Sequence, residues 1–244
     1  MRALVFAAGK GERMRPLTET TPKPLLRAGG KSLVAWHLEK LAAIGVTDVV
    51  FNIAWLADRF APTLGDGADW GLRLHYSREG DEPLETGGGM LHALSLLGDA
   101  PFLAVNGDIW TDFDFAQLPA APAGLAHLVL VDNPSQHPRG DFLLRANGAV
   151  APGAAAGDGA PRLTFAGIGM YRPQLLEGWR EVIGAVPGTE RDPPRFKLVP
   201  LLEAAMARGA VDGRHHRGRW TDVGTPGRLQ ALDAELGGEP AHAR

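Results

Sequence analysis

Short apolar runs that alternate with helix-like segments restrict the fold of this chain more than any other feature. Almost uninterrupted apolar runs, typical of strands buried on both faces of a parallel sheet, lie at residues 4–7, 49–53 and 102–105. Apolar residues spaced three or four positions apart predict helices at residues 33–44, 56–64 and 87–97. The alternation predicts βαβ units, and therefore an α/β fold with a Rossmann-like, mixed but mostly parallel sheet flanked by helices.

The second half of the chain has a more mixed pattern. In that half, strands are predicted at residues 127–131, 164–171 and 220–223, in addition to one at residues 72–76 in the first half, and helices are predicted at residues 196–207 and from Pro226 onward. Asn147-Gly148 separates two extended segments and indicates a hairpin between residues 142 and 150. We expect one domain over residues 1–237, a loop at 151–161 and a frayed tail at 238–244.

Composition excludes several classes of function. The chain has 244 residues, of which 45% are hydrophobic, and this is enough for a sizeable core. It contains no cysteine, which excludes disulfides, thiolate metal sites and cysteine nucleophiles. A net charge of −3 argues against nucleic acid or an anionic membrane as a partner. The first apolar run is too short for an export signal or a membrane span, so we expect a cytoplasmic protein.

The segment after the first strand carries the strongest signs of a binding site. Gly9 and Gly11 would let the backbone approach a phosphate and direct N–H groups at it, and Arg13 adds a planar set of donors. Lys23 lies between two prolines, which make its segment stiff. The alternatives are that Gly9 and Gly11 only form a turn, and that Lys23 is an ordinary lysine in a solvated loop.

Longer motifs in the same region resemble a known family. Ala7-Ala8-Gly9-x-Gly11-x-Arg13-Met14-x-Pro16-Leu17-Thr18 and Pro22-Lys23-Pro24-Leu25 look like the signature of the sugar-1-phosphate nucleotidylyltransferases. The match continues, in the same order, through Glu85-Thr86-Gly87-Gly88-Gly89, Asn106-Gly107-Asp108 and Trp220-x-Asp222-x-Gly224. Residues 82–89 and 105–108 are most similar to the branch that acts on N-acetylmuramate 1-phosphate in cell-wall recycling. Mannose-1-phosphate guanylyltransferases share much of the pattern.

The resemblance implies a glycosyltransferase-A-like fold and a reaction. A nucleoside triphosphate, here UTP, and a sugar 1-phosphate would give a nucleotide sugar and pyrophosphate, with Mg²⁺ as cofactor. The nucleotide-binding half would span about residues 1–125 and the sugar-binding half about 126–237. The substrates are small molecules, and we expect a monomer or a small homo-oligomer.

The resemblance also assigns roles to individual residues. The expected catalytic residues are Arg13, Lys23 and Asp108. The expected nucleotide-binding residues are Ala8, Gly9, Gly11, Glu12, Arg13, Lys23, Glu82, Gly87 and Gly88. The expected sugar-binding residues are Asn106, Asp141, Gly167 and Lys197. Mg²⁺ would be held by Asp108 and Asp222. A helix or turn cap is the alternative for Asp108, and a turn former is the alternative for Asp222.

Two points leave alternatives open. Many family members have a Glu-Lys pair before the strand at 164–171, where this chain has Arg162 and Leu163, so the contacts to the sugar hydroxyls are in doubt. The base and the sugar are not determined, and a mannose-1-phosphate guanylyltransferase is the alternative enzyme. A non-catalytic nucleotide-sugar sensor is the alternative of another class, although a sensor need not keep both metal-binding aspartates.

Overall fold

The computed structural model describes residues 1–154 and 159–237. Part of the expected loop at 151–161 and the expected tail at 238–244 lie outside the described residues. Within those two ranges the strands are Arg2–Phe6 (β1), Arg27–Ala28 (β2), Lys31–Ser32 (β3), Asp48–Ile53 (β4), Arg73–Arg78 (β5), Phe102–Asn106 (β6), Ile109–Thr111 (β7), Ala126–Val131 (β8), Phe142–Leu144 (β9), Val150–Pro152 (β10), Arg162–Tyr171 (β11), Val211–His216 (β12) and Trp220–Asp222 (β13). The helices are Leu33–Ala43 (α1), Phe60–Leu64 (α2), Glu85–Leu97 (α3), Trp179–Ile183 (α4), Val199–Ala207 (α5) and Pro226–Gly237 (α6).

One mixed sheet runs through both halves of the described chain. Its order is β10-β9-β11-β6-β1-β4-β5, with β8 pairing to β11 and β12 to β8. The strands β6, β1, β4 and β5 are parallel neighbours, and β11 joins them in antiparallel orientation along β6. The expectation of a mixed, mostly parallel sheet flanked by helices is therefore confirmed.

The apolar runs are buried on both faces because helices cover both sides of the sheet. Val5 and Phe51 lie in one core cluster with the apolar face of α1, whereas Leu4 and Val50 lie in another with α3 and α5. Successive strand residues point to opposite faces, so a strand between two helical layers is apolar at most positions. This is why the sequence showed continuous runs rather than alternation.

A third, smaller cluster anchors the long segment between β1 and α1. Met14, Leu26 and Leu33 pack with Trp110 and with the apolar face of α6. Within that segment the chain forms three short 3₁₀ turns and the small β2–β3 ribbon. The residues that follow β1 are therefore held by apolar packing against the end of the described chain.

Several elements differ from the sequence-based expectation, and the short elements β2, β3, β7 and α4 were not predicted. The pattern around residues 56–64 forms a 3₁₀ turn followed by the short α2, because Leu56 has a left-handed backbone (φ 51°) that cannot belong to a helix. Helix α5 begins at Val199 rather than at 196. Strand β12 was not predicted, because it is only half-buried and its sequence is largely polar. The predicted hairpin is present as β9 and β10, with Gly148 at φ +83°.

Among the described residues, none of the helices combines the length and the apolar character needed to cross a membrane.

Candidate active site

An open cleft of about 760 Å³ lies where the parallel strands end. Phe6, Asn52 and Asn106, at or near the carboxyl ends of β1, β4 and β6, contribute to its wall. In open α/β sheets this edge is where ligands bind. The sequence-predicted residues that line the cleft are Ala8, Gly9, Gly11, Glu12, Arg13, Lys23, Glu82, Asn106 and Asp108.

The glycine loop after β1 forms one side of the cleft. Gly11 has φ +62°, and a Cβ there would lie 2.9 Å from the side chain of Thr18. The Thr18 hydroxyl donates to the Gly11 carbonyl at 2.7 Å, and the Met14 N–H donates to the same carbonyl at 2.8 Å. A Cβ at Gly9 would meet nothing within 4 Å. The loop is therefore fixed at Gly11 and leaves open space at Gly9, where a ligand could approach the backbone.

Lys23 and Asp108 meet in the same cleft although 85 residues separate them. The Lys23 Nζ lies 2.5 Å from Asp108 Oδ2. Lys23 begins a short 3₁₀ turn after Pro22, and its side chain is only 10% exposed. Gly107 lets the turn before Asp108 lie close to its neighbours, since a Cβ there would be 2.9 Å from the Phe6 carbonyl oxygen. The carboxylate is thus brought to the lysine by a backbone contact between β1 and the end of β6.

Asp222 lies beside Asp108 through backbone pairing. Strand β13 pairs with β7, which places Asp222 opposite Ile109, and the Val223 N–H donates to the Asp108 carbonyl at 2.9 Å. The Asp222 carboxylate accepts hydrogen bonds from Gln136 (2.6 Å) and from Arg228. Within the described part of the chain, Gly224 lines the cleft, whereas Asp222, two residues before it, does not.

The donor set at this point fits a hard divalent cation. Asp108, in the turn between β6 and β7, and Asp222, at the end of β13, supply carboxylate oxygens. In the described part of the chain, no group of three or more His, Cys, Asp or Glu side chains could hold a metal ion by itself. Mg²⁺ usually takes only one or two carboxylates and completes its shell with phosphate oxygens and water, so one aspartate in the cleft wall and a second on the neighbouring strand β13 agree with its preferences.

A buried network that the sequence did not reveal supports the glycine loop. Asn52 accepts a hydrogen bond from the Ala7 N–H (2.7 Å) and donates to Glu79 Oε1 (2.8 Å), while Glu79 Oε2 accepts from the Leu84 N–H (2.7 Å). Burial raises the pKa of Glu79, and the hydrogen bonds from its neutral partners offset only part of this shift. The only sequence signal was a polar residue, Asn52, within an apolar strand.

Two arginines hold the segment after β5. Arg191 pairs with Glu82 at 2.8 Å, and Arg195 pairs with Glu85 at 2.9 Å. The hydrogen bond from Arg191 lowers the pKa of Glu82. Glu85 has φ 63°, a left-handed conformation that is uncommon outside glycine. Sequence reasoning did not find the two arginines, because they lie in a Pro-rich segment without a recognisable motif.

Gly87 and Gly88 permit a close approach, but the approaching group here is the protein. Both N–H groups donate to the Phe196 carbonyl at 3.0 Å, and a Cβ at Gly87 would lie 2.6 Å from the Phe196 ring. Neither glycine is among the described residues of the cleft wall. Their contact with a nucleotide base stays a prediction.

The four residues predicted to bind the sugar are not all at the cleft. Asn106 lines it, and Gly167 touches Asn106: a Cβ at Gly167 would lie 2.6 Å from the Asn106 Nδ2. This contact arises at an irregularity in β11, between residues 165 and 168. Asp141 accepts from the Phe165 N–H at 2.8 Å. Lys197 lines a second, smaller pocket. The sugar-binding role of all four residues remains a prediction.

Comparison with known proteins agrees with this arrangement. The model of the nucleotidyl transferase family matches residues 2–138, and the chain belongs to this family. The chain is 45% identical to the N-acetylmuramate alpha-1-phosphate uridylyltransferase of Neisseria meningitidis over 97% of its length and 99% of that protein. It is 35% identical to the protein of the same description from Caulobacter vibrioides, over 96% of both chains.

Other similarities are more distant. The mannose-1-phosphate guanyltransferase of Aspergillus fumigatus is 37% identical over 56% of this chain and 40% of its own length. A solved structure from Bacillus anthracis, described as a glucose-1-phosphate thymidylyltransferase in complex with a sucrose, has a TM-score of 0.77 and 19% identity over 100% of this chain and 98% of that one. This structural likeness establishes the nucleotidyltransferase fold, and the sequence relatives support nucleotidyl transfer to a sugar 1-phosphate.

Proposed function

We propose that this protein is a Mg²⁺-dependent uridylyltransferase that converts UTP and N-acetylmuramate α-1-phosphate to UDP-N-acetylmuramate and pyrophosphate, in cell-wall recycling. The observation that carries the proposal is the 45% identity to a uridylyltransferase of this sugar phosphate over 97% of the chain. That identity extends over the sugar side as well as the nucleotide side. The guanyltransferase match covers only 56% of the chain.

Among the described residues, three of the four cations that line the cleft lie in the segment after β1, where Glu12 is the one acid of the cleft wall, and this supports an orientation for the nucleotide. Lys10 and Arg13 follow β1, with Lys23 further along the same segment, whereas Glu79, Glu82 and Glu85 follow β5. The triphosphate would lie along the first group, where the amides of Gly9 and Gly11 and the Arg13 guanidinium can bind phosphate oxygens. The base would lie toward the second group, near Glu82, Gly87 and Gly88.

The chemical step is a direct displacement at phosphorus. An oxygen of the sugar phosphate attacks the α-phosphorus of UTP, and the bond from that phosphorus to the oxygen bridging to the β-phosphorus breaks. Pyrophosphate leaves with the electron pair. No general base is required because the nucleophile is already ionised. Catalysis then depends on positioning and on positive charge near the phosphates.

Lys23 is suited to supply that charge. Its ammonium group has three N–H donors, and the structure uses one of them for Asp108. The remaining donors can bind oxygens of the α-phosphate and of the incoming sugar phosphate. The prolines around Lys23 and the packing of its stem beside Gly11 reduce the entropy that a surface lysine would lose on being held in place.

Asp108 and Asp222 would hold the Mg²⁺ ion. When bound, the ion would neutralise charge that develops on the phosphates. Asp108 also orients Lys23 through their hydrogen bond. Arg228 and Gln136 hold the Asp222 carboxylate in place. We also propose that Asn106, Asp141, Gly167 and Lys197 serve the sugar side, that Arg13 assists the departing pyrophosphate, and that Ala8 and Glu12 contact the nucleotide.

A matrix of pyrophosphate-release assays tests the proposal. Each of four nucleoside triphosphates is combined with N-acetylmuramate, N-acetylglucosamine, glucose and mannose 1-phosphates, in Mg²⁺ and in EDTA. We expect the highest kcat/KM for UTP with N-acetylmuramate α-1-phosphate, and loss of turnover in EDTA. Turnover only with GTP and mannose 1-phosphate would instead identify a guanylyltransferase. Nucleotide-sugar binding without turnover of any pair would identify a sensor.

The proposal places the reaction in the cytoplasm, where nucleoside triphosphates are available, and needs no partner besides the small-molecule substrates. We propose a monomer or a small homo-oligomer, which size-exclusion chromatography with light scattering can distinguish.

A further inference from the structure

A second pocket opens beside the proposed active site. It has a volume of about 330 Å³, and Glu85 and Arg195 line both it and the main cleft. The two spaces therefore meet at the Arg195–Glu85 ion pair. A group attached to a substrate in the main cleft could extend into the smaller pocket without leaving the protein surface.

The smaller pocket combines an apolar wall with positive charge. Its apolar residues are Val182, Ile183, Val186, Pro187, Phe196 and Pro200. Arg195 and Lys197 supply two positive charges, against one negative charge on Glu85. Lys197 is exposed and has no side-chain hydrogen bond or ion pair with the residues that the structure describes. The pocket thus has an excess positive charge and an available ammonium group beside apolar surface.

The segment that carries these cations is firmly held. The Phe196 ring stacks on Trp179 with the ring centres 4.6 Å apart, and the Phe196 carbonyl accepts hydrogen bonds from Gly87 and Gly88. The Leu198 N–H donates to the Thr86 hydroxyl at 3.1 Å. The backbone is fixed on both sides of Lys197, so its position relative to the start of α3 is set by the fold.

Arg195 is held at the junction of the two spaces. Its Nη2 donates to Glu85, and its Nε donates to the Pro83 carbonyl at 3.2 Å. A guanidinium has five N–H donors, so these two bonds leave others available. An incoming carboxylate could therefore bind Lys197 and the free side of Arg195 together.

We propose that this pocket, called here the lactyl pocket and defined by Arg195, Lys197 and the apolar residues named above, recognises the acidic side group of the sugar substrate. The inference rests on the proposed function. N-acetylmuramate differs from N-acetylglucosamine by a lactyl ether, which has one methyl group and one carboxylate. The methyl group suits the apolar wall, and the carboxylate suits Lys197 and Arg195. Lys197 is then a specificity-determining residue for the proposed reaction.

The test compares two sugars that differ only in that ether. The variant Lys197→Met keeps the apolar stem and removes the charge. We expect it to lower kcat/KM for N-acetylmuramate α-1-phosphate by about 10- to 100-fold, the effect of losing one hydrogen bond to a charged group. We expect less than about a twofold change for N-acetylglucosamine 1-phosphate, and an unchanged KM for UTP. If the wild-type protein turns over the second sugar too slowly, its inhibition constant serves as the readout.

Two further variants control the experiment. Lys197→Arg keeps a positive charge and should restore most of the preference for the acidic sugar. Arg208→Gln removes one charge from an exposed residue directly after α5, outside both pockets, and should leave the ratio between the two sugars unchanged.

The possible failures are distinguishable. If Lys197→Met reduces turnover of both sugars equally, or of neither, the lactyl pocket is wrong while the proposed function stands. If the wild-type protein uses another sugar 1-phosphate but not N-acetylmuramate α-1-phosphate, the proposed function is wrong, and the lactyl pocket with it.

Discussion

The two ends of strands β4 and β5 each hold a buried carboxylate, and the two carboxylates are held in opposite ways. At the amino end, Asp48 accepts two hydrogen bonds from Arg73 (2.8 Å each) and one from His75 (3.0 Å). Arg73, followed by His75, holds the pKa of Asp48 well below its usual range. Just beyond the carboxyl end, Glu79 is bound only by neutral donors, and burial raises its pKa.

The difference separates a stabilising contact from a functional one. An ionised carboxylate beside a guanidinium favours the folded state, and Asp48 does not line the described cleft. A buried carboxylate without a cation costs free energy in its charged form, and such groups are concentrated at functional sites. Glu79 lines the cleft and connects its two loops. Asp108 is a third case, since it pairs with a cation, Lys23, but does so inside the cleft.

The largest effect is expected from Asp108→Asn. The amide keeps the size of the side chain but removes the charge that binds Lys23 and would bind Mg²⁺. We expect kcat to fall about 10³-fold or more, with little change in melting temperature. Steady-state pyrophosphate release and thermal unfolding measure the two quantities. Activity within tenfold of the wild type would contradict the role of Asp108.

Asp48→Asn should give the reverse result. It breaks a hydrogen-bonded ion pair at the amino end of the sheet, and we expect a loss of about 1–2 kcal/mol in the free energy of unfolding. Both kcat and KM should stay near the wild-type values. Urea unfolding together with the activity assay checks this, and a loss of activity without a loss of stability would contradict the comparison.

The pH dependence of stability should differ between the two carboxylates. Because the folded-state pKa of Asp48 is lowered, its contribution is fully present above an unfolded-state pKa of about 4 and is lost as the pH falls below that value. The folded-state pKa of Glu79 is raised, so stability falls as the pH rises above its unfolded-state value of about 4.3. Urea unfolding of Asp48→Asn and Glu79→Gln at several pH values should show the loss of the corresponding slope in each variant; retention of both slopes would contradict the assignment.

A smaller effect on activity is expected from Glu79→Gln. Asn52 and Leu84 donate to different oxygens of Glu79, and a glutamine would place its NH2 group opposite one of these two donors. The loop after β5 should lose one anchor, which we expect to raise KM for the nucleotide about tenfold with little change in kcat. An unchanged nucleotide KM would mean that the network does not position the site, and Asp48→Asn provides the matched control from the other end of the strands.

The smallest effect is expected from Arg191→Gln. The Arg191–Glu82 pair is exposed on both sides, at 45% and 56% of the side-chain surfaces, and exposed ion pairs contribute little. We expect less than about a fivefold change in KM for UTP. A larger change would show that this pair, and not only the Glu79 network, holds the loop after β5.

Different parts of the site were predictable to different degrees. The presence of Lys23 and Asp108 at the site could be anticipated, because both residues belong to motifs and Asp108 follows a recognisable strand, but their direct contact was not predicted. The Asn52–Glu79 contact could not, because it depends on the register between β4 and β5 and on the path of the loop after β5. The packing of Phe196 against Gly87 could not be predicted either, since the two segments are more than 100 residues apart and no local sequence pattern indicates that they are in contact.

Local patterns were sufficient for the α/β architecture, the order of the first strands and helices, and the candidate residues after β1 and β6. They were sufficient because strand burial, helix periodicity and glycine or proline conformations are properties of neighbouring residues. Folding in three dimensions determined which side chains share a cavity, which carboxylate has a cation beside it, and where the second pocket joins the cleft. These outcomes depend on contacts between distant segments, whose distances and exposure to water set the charge state and the available space of every group at the site.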